Sequence, residues 1–136
     1  MARMHPLERF EAILVVGIGG FAGSNLRHFV EQLVPSSMVA TATVNVLGSF
    51  LLGVLLYEEI FADSVSQRGR TILGTGFLAS FTTFSTFVVD ALRASPLVGI
   101  GYVFGSYALG FGAVLLGRAV ARWATGATAE GRGVGE

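Results

Sequence analysis

The chain has 136 residues, of which 52% are hydrophobic and 13% are charged, and its nine basic and nine acidic side chains give a net charge of zero. This composition predicts an integral membrane protein rather than a soluble one. A neutral chain is not expected to bind nucleic acid. Because cysteine is absent, disulfides, thiolate nucleophiles and thiolate metal sites are excluded.

Four segments are long enough to span a bilayer, since about 20 apolar residues cross the hydrocarbon core as a helix. They are residues 12–33, 38–57, 71–89 and 94–117. We therefore predict an all-α integral membrane protein with four transmembrane helices, all within residues 1–124. Residues 125–136 form a short, polar, glycine-rich tail that we expect to be disordered.

The positions of the arginines predict how the chain is oriented in the membrane, because the chain contains no lysine. With four spans, both termini and the central loop lie on one side of the membrane. That side holds Arg3, Arg9, Arg68, Arg70, Arg118, Arg122 and Arg132, whereas the other side holds Arg27 and Arg93. Short cytoplasmic loops carry the excess of basic residues, so we expect a multi-pass cell-membrane protein with cytoplasmic termini.

The third span contains the least regular stretch, residues 79–83, with the sequence ASFTT. Small, hydroxyl and β-branched residues cluster there and offer the backbone rival hydrogen bonds, which predicts a broken helix. Phe84 and Phe87 follow, and they share a face if the next half is helical. These rings either pack against lipid and core or present their positive edges to an anion. Carbonyls freed by a break can also coordinate a small cation such as Na⁺.

Polar residues in the other spans each have two interpretations. Arg27 either snorkels to the interface or attracts anions at a pore mouth. Asn45 either bonds a neighbouring helix or donates its amide to a permeating anion. Asp90 is either an interfacial carboxylate or part of a polar relay beside a pore. Tyr102 and Ser106, four residues apart, either pack or present two hydroxyl donors.

Three motifs occur in order along the chain. The first is Gly19-Gly20-Phe21-Ala22-Gly23 leading to Arg27, where Gly19 and Gly23 also form a GxxxG helix-packing pair. The second is Val44-Asn45-Val46-Leu47-Gly48-Ser49-Phe50, and the third is Thr82-Thr83-Phe84-Ser85-Thr86-Phe87. Together these motifs resemble the Fluc (CrcB) family of fluoride channels, and the resemblance extends over the whole four-helix body, from about residue 17 to residue 118.

The resemblance implies a passive channel, not an enzyme, that exports fluoride and lowers its cytoplasmic concentration. Family members form antiparallel, dual-topology dimers with two pores at the subunit interface and a central structural sodium ion. The backbone carbonyls that hold this sodium correspond to Ala79 and Thr82. The pore positions correspond to Asn45, Phe84, Phe87, Ser85, Thr86, Tyr102, Ser106 and Arg27, with Asp90 in the polar track. The expected partners are therefore fluoride, the lipid bilayer and a second subunit, as a homodimer.

The chain also departs from the family pattern. Ala79-Ser80 stands where Gly-Gly is usual, Asp90 where Glu is usual, and His28 where Tyr is common. One alternative is a subunit of an antiparallel heterodimeric fluoride channel, and another is a non-conducting accessory subunit. A small multidrug-type exporter needs a membrane-embedded carboxylate, whereas the first span has Glu11 at its start and nothing acidic at its centre.

The arginine bias of seven to two generates a testable prediction. A chain that inserts in both directions should carry nearly balanced arginines, so we expect this chain to prefer cytoplasmic termini. Accessibility of a terminal tag in intact and permeabilised cells measures the orientation. Equal populations in both orientations would contradict the predicted preference.

Overall fold

The computed structural model describes residues 6–56, 69–70 and 72–132, and within these ranges every regular element is helical. In chain order the elements are α1 (Pro6–Leu33), α2 (Ser37–Leu55), a π-helix (Ile72–Leu78), α3 (Ala79–Phe81), α4 (Phe84–Arg93) and α5 (Pro96–Arg132). The π-helix continues directly into α3. Most of the predicted polar loop between the second and third spans lies outside the described residues.

Four helical segments are long and apolar enough to cross a membrane, as the sequence predicts. They are Arg9–Leu33, Ser37–Leu55, Ile72–Arg93 and Pro96–Ala124. Large hydrophobic side chains on their outer faces are exposed in the single chain, including Leu92 at 81% and Leu97 at 83%. Outward-facing apolar side chains are expected where lipid, and not water, surrounds the helices.

The fourth span is longer than the sequence predicts. Helix α5 continues to Arg132, so its backbone includes residues assigned to the tail. The division of the chain at residue 125 and the disorder of the tail stay predictions.

Helix α1 packs against the third span through glycines. A Cβ atom on Gly19 would lie 2.5 Å from the carbonyl oxygen of Ile72, and one on Gly23 would meet the carbonyl oxygen of Phe77. Gly76 approaches the backbone of α1 from the opposite side. The interpretation of Gly19 and Gly23 as a helix-packing face is confirmed, because only hydrogen side chains allow two backbones to come this close.

Helices α2 and α5 also pack closely against each other through glycines. A Cβ atom on Gly53 would meet the carbonyl oxygen of Val114, and one on Gly117 would meet that of Phe50. The small buried residues Ala40, Val44 and Ala113 lie in the interior of the four-helix body. The close backbone contacts therefore form two helix pairs, α1 with the π-helix of the third span and α2 with α5.

Two residues of the third span have extended backbone between helical neighbours. Thr82 has φ −80° and ψ 159°, and Thr83 has φ −144° and ψ 124°. Helical geometry needs ψ near −40°, so the chain leaves the helix after Phe81 and begins a new helix at Phe84.

The glycine packing generates a stability prediction. We expect Gly23→Ala to lower the free energy of unfolding by about 1–3 kcal/mol, because the added methyl group forces α1 away from the backbone of Phe77. Gly17→Ala is the matched control, since nothing lies within 4 Å of a Cβ atom at that position. Thermal unfolding in detergent measures both variants, and equal midpoints would contradict the close contact at Gly23.

Candidate functional site: a groove at the third span

A groove of about 560 Å³ lies where α2, the third span and α5 meet. Its walls are mostly apolar, with a few amide and hydroxyl groups. The residues that line it include Asn45, Ser49, Ala79, Phe84, Phe87 and Ser106. Six of the predicted site residues, with Thr82 among them, are therefore brought to one surface, and Thr83 also lines it.

The Asn45 side chain bonds both polar backbone groups of Thr83. The Thr83 N–H donates to Asn45 Oδ1 at 2.8 Å, and Asn45 Nδ2 donates to the Thr83 carbonyl oxygen at 2.9 Å. The backbone N–H can only donate, so the amide oxygen must face it, and the orientation of the amide is fixed. The interhelical bond predicted as one of two roles for Asn45 is confirmed.

Helix α2 also makes close contact with the neighbouring residue of the third span. A Cβ atom on Gly48 would meet the Thr82 methyl group. Gly48 lies three residues after Asn45, which places both on one face of α2. One helix face therefore contacts Thr82 by close packing and Thr83 by two hydrogen bonds.

The Thr83 hydroxyl caps helix α4. Its oxygen accepts the backbone N–H of Thr86 at 3.3 Å, as is typical of a threonine at an N-cap. The same hydroxyl donates to Thr86 Oγ1 at 3.1 Å and lies 3.4 Å from Ser85 Oγ. The predicted pore residues Ser85 and Thr86 thus form a hydroxyl cluster with Thr83, and neither of them lines the groove.

Phe84 and Phe87 lie side by side, with ring centroids 5.9 Å apart. Phe84 is 70% exposed, whereas Phe87 is 8% exposed. Phe87 also contacts Tyr102 with centroids 5.2 Å apart, and it meets Tyr107 edge to face at 6.1 Å. An aromatic cluster therefore forms one wall of the groove, and its edges are the weakly positive part of each ring.

Arg27 contacts the other side of the interruption. Its Nη1 donates to the Thr82 carbonyl oxygen at 3.4 Å, and its Nε lies 3.6 Å from Glu31 Oε1. The guanidinium is partly exposed, and Arg27 is not among the residues that line the groove. The carbonyl of Thr82, which points out of the helical ladder, thus has a cationic neighbour.

Asp90 is buried, at 7% exposure, and both of its carboxylate oxygens are occupied. Ser37 Oγ donates to Oδ1 at 2.8 Å, and Thr41 Oγ1 donates to Oδ2 at 3.0 Å. In the part of the chain that the structure describes, no basic side chain forms an ion pair with Asp90. The carboxylate therefore lies between α2 and α4 and is not at the surface of the groove.

Tyr102 and Ser106 lie on one face of α5, close to this polar group. The Tyr102 hydroxyl is near the hydroxyls of Thr41 and Ser106 and near Asp90. It is nevertheless buried without a hydrogen bond of acceptable geometry among the described residues. Of this pair, Ser106 reaches the groove.

The structure adds residues that sequence reasoning did not assign to the site. Ser37 and Thr41 hold Asp90, and Tyr107 and Phe111 line the groove beside Phe87. Tyr107 and Phe111 are four apart and pair with ring centroids 6.4 Å apart, so their helical spacing was the available signal. The described residues contain no cluster of three or more His, Asp or Glu side chains.

A family model described as "CrcB-like protein, Camphor Resistance (CrcB)" matches residues 14–118. A protein of Haloarcula marismortui named fluoride-specific ion channel FluC 1 is 49% identical over 122 residues, which cover 90% of this chain and 94% of the relative. The protein of the same name from Natronomonas pharaonis is 43% identical over 82% of this chain and 95% of its own length. The fluoride-specific ion channel FluC of Oceanobacillus iheyensis is 41% identical over 77% and 87%.

The family model covers most of the four spans and all of the residues that line the groove, and the matches confirm the resemblance inferred from the three motifs. The chain therefore belongs to the CrcB-like protein family, whose relatives are named as ion channels, and it is not an enzyme.

Proposed function

We propose that this chain is a subunit of a fluoride-specific channel that lets fluoride leave the cytoplasm passively. The observation that carries the proposal is the groove at the interruption of the third span. Asn45, Phe84 and Phe87 all line this groove, and the two rings lie side by side. The names of relatives that are 41–49% identical support fluoride as the ion.

The proposed mechanism replaces the hydration shell of the anion in stages. Fluoride is small and strongly hydrated, so it enters an apolar wall only where donors compensate the lost water. Asn45 uses one amide hydrogen on Thr83 and has a second for an anion. The Ser106 hydroxyl and the ring edges of Phe84 and Phe87 add further weak donors along the groove.

The remaining polar residues have supporting places in this proposal. Ser85, Thr86, Tyr102 and Asp90 form a polar track beside the groove. The hydroxyl of Thr86 and the carboxylate of Asp90 are already engaged by the chain itself. Arg27 contributes positive charge near the interruption, which raises the local concentration of anions.

A second subunit completes the proposed pore. In the single chain the groove is open, and the Phe84 ring is 70% exposed. We propose an antiparallel homodimer, in which two grooves form two pores at the subunit interface. The arginine bias and the Ala79-Ser80 departure favour, as the second candidate, an antiparallel heterodimer with a homologous subunit.

We further propose a structural sodium ion at the dimer interface. Carbonyl oxygens are suitable ligands for Na⁺. The extended backbone removes the Thr82 carbonyl from the helical ladder, and Ala79 begins the short helix before it. The guanidinium of Arg27, 3.4 Å from the Thr82 oxygen, competes for the same atom. Bound sodium would supply positive charge and hold the two interrupted spans together.

Liposomes that contain only this purified chain provide the first test. We expect rapid fluoride efflux, measured with a fluoride electrode, and no chloride efflux under the same gradient. Such efflux needs both a conducting pathway and a homodimer.

Absence of efflux from folded, inserted protein would contradict the homodimeric channel. Efflux restored by a co-expressed homologous chain would then support the heterodimer. Continued absence would support a non-conducting accessory subunit.

Substitution of the ring pair tests the pathway itself. We expect Phe84→Ile and Phe87→Ile each to reduce fluoride efflux to the background of empty liposomes, because isoleucine has no positive ring edge. Phe104→Ile is the matched control, since Phe104 is 73% exposed and does not line the groove. Size-exclusion chromatography checks that the dimer remains, and retained efflux by a folded Phe84 variant would remove that ring from the pathway.

A further inference from the structure

We propose that Asn45 is a positioning residue, whose side chain closes the interrupted backbone at Thr83 and thereby fixes where helix α4 and its two phenylalanines lie. The inference rests on the proposed function and adds to it. Asn45 would contribute to permeation indirectly, by holding the third span in place, besides any hydrogen bond that it offers to the ion.

The backbone N–H and carbonyl of Thr83 both have hydrogen-bonding capacity that helix α4 leaves unused. Thr83 is the N-cap of α4, so its N–H lies outside the helical hydrogen-bond ladder. Its carbonyl accepts within the first turn and keeps a second lone pair. In a bilayer no water is available to bond such groups, and leaving them unbonded is costly. Asn45 bonds both groups, at 2.8 and 2.9 Å.

Both hydrogen bonds to the Thr83 backbone come from one rigid group, the side-chain amide of Asn45. The planar amide of Asn45 accepts a hydrogen bond from Thr83 and donates one to it. It therefore pairs with the Thr83 backbone in the way that a neighbouring β-strand would. The Asn45 side chain therefore fixes the direction of the Thr83 peptide and not only its distance from α2. Gly48, on the same face of α2, lets Thr82 approach closely enough for these bonds to form.

Thr83 is connected to the groove through helix α4. Helix α4 begins at Phe84, immediately after the clamped residue, and the Thr83 hydroxyl caps it by accepting from Thr86 N–H. The first turn thus takes its orientation from Thr83. Phe84 and Phe87 lie within the first four residues of this helix, so a rotation of Thr83 moves both rings along the groove wall.

A double-mutant cycle tests this positioning role. Asn45→Leu removes both hydrogen bonds while keeping a similarly branched side chain, and an α-hydroxy analogue of threonine at position 83 removes the backbone N–H from which Asn45 accepts. We expect each change to lower the maximal fluoride efflux about tenfold, since each leaves a buried backbone interaction unmade. The doubly changed protein should be no slower than Asn45→Leu alone, because both changes remove the same contact.

The dependence on fluoride concentration separates positioning from direct binding. A positioning role predicts a lower maximal efflux with the half-saturating fluoride concentration changed by less than about twofold. Thr43→Val is the matched control on α2, since among the residues that the structure describes the Thr43 hydroxyl bonds the Val39 carbonyl of its own helix and no residue of the third span. We expect this control to conduct as the unchanged protein does.

Two outcomes would overturn the positioning role. One is unchanged efflux after the backbone substitution at Thr83, and the other is a doubly changed protein whose losses multiply. A raised half-saturating concentration in Asn45→Leu alone would assign the residue to direct binding of the anion.

Hydrogen exchange keeps the inference separate from the proposed function. Even if the unchanged protein passes no fluoride, Asn45→Leu should accelerate exchange of the Thr83 amide about tenfold while amides in the middle of α5 stay protected. Unchanged exchange at Thr83 would overturn the clamp, whereas absence of efflux with faster exchange would contradict only the channel.

Discussion

Polar backbone groups inside a membrane must be satisfied by the protein, and the extended residues Thr82 and Thr83 impose this requirement at the centre of the third span. The chain meets it with side chains from two other helices. Asn45 of α2 bonds the N–H and carbonyl of Thr83, and Arg27 of α1 donates to the carbonyl of Thr82. The interruption is therefore stable only in the assembled bundle, which makes the position of every other site residue depend on how α1 and α2 pack.

That packing depends on close approach. Gly19 and Gly23 let α1 contact the backbone of the π-helix, and Gly48 lets α2 contact the Thr82 side chain. In lipid there is little hydrophobic gain from burying one apolar helix against another, so close van der Waals contact and interhelical hydrogen bonds hold the bundle together. The glycines therefore do more than remove bulk, since they bring the interrupted segment within hydrogen-bonding distance of its partners.

Features that repeat along one helix could be predicted from the sequence. Hydropathy predicted four spans, and the spacing of Gly19 and Gly23 predicted a packing face. The sequence could not choose between two roles for Asn45, because a polar side chain in an apolar helix needs a partner that spacing does not name. For the same reason the hydroxyls that hold Asp90, from Ser37 and Thr41, were not predicted. Pairings between distant residues follow from the packing of the bundle and not from local periodicity.

The hydroxyl groups of these spans differ in whether they are free to donate a hydrogen bond to an anion. A hydroxyl has one hydrogen to donate. Those of Ser37 and Thr41 go to the Asp90 carboxylate, and that of Thr83 goes to Thr86. Much of the hydroxyl content that makes these spans look polar is therefore committed to the protein itself. An anion passing through the groove would meet the hydroxyls of Ser49, Ser106 and Tyr107 together with the ring edges, and the orientation of those rings begins at the backbone that Asn45 holds.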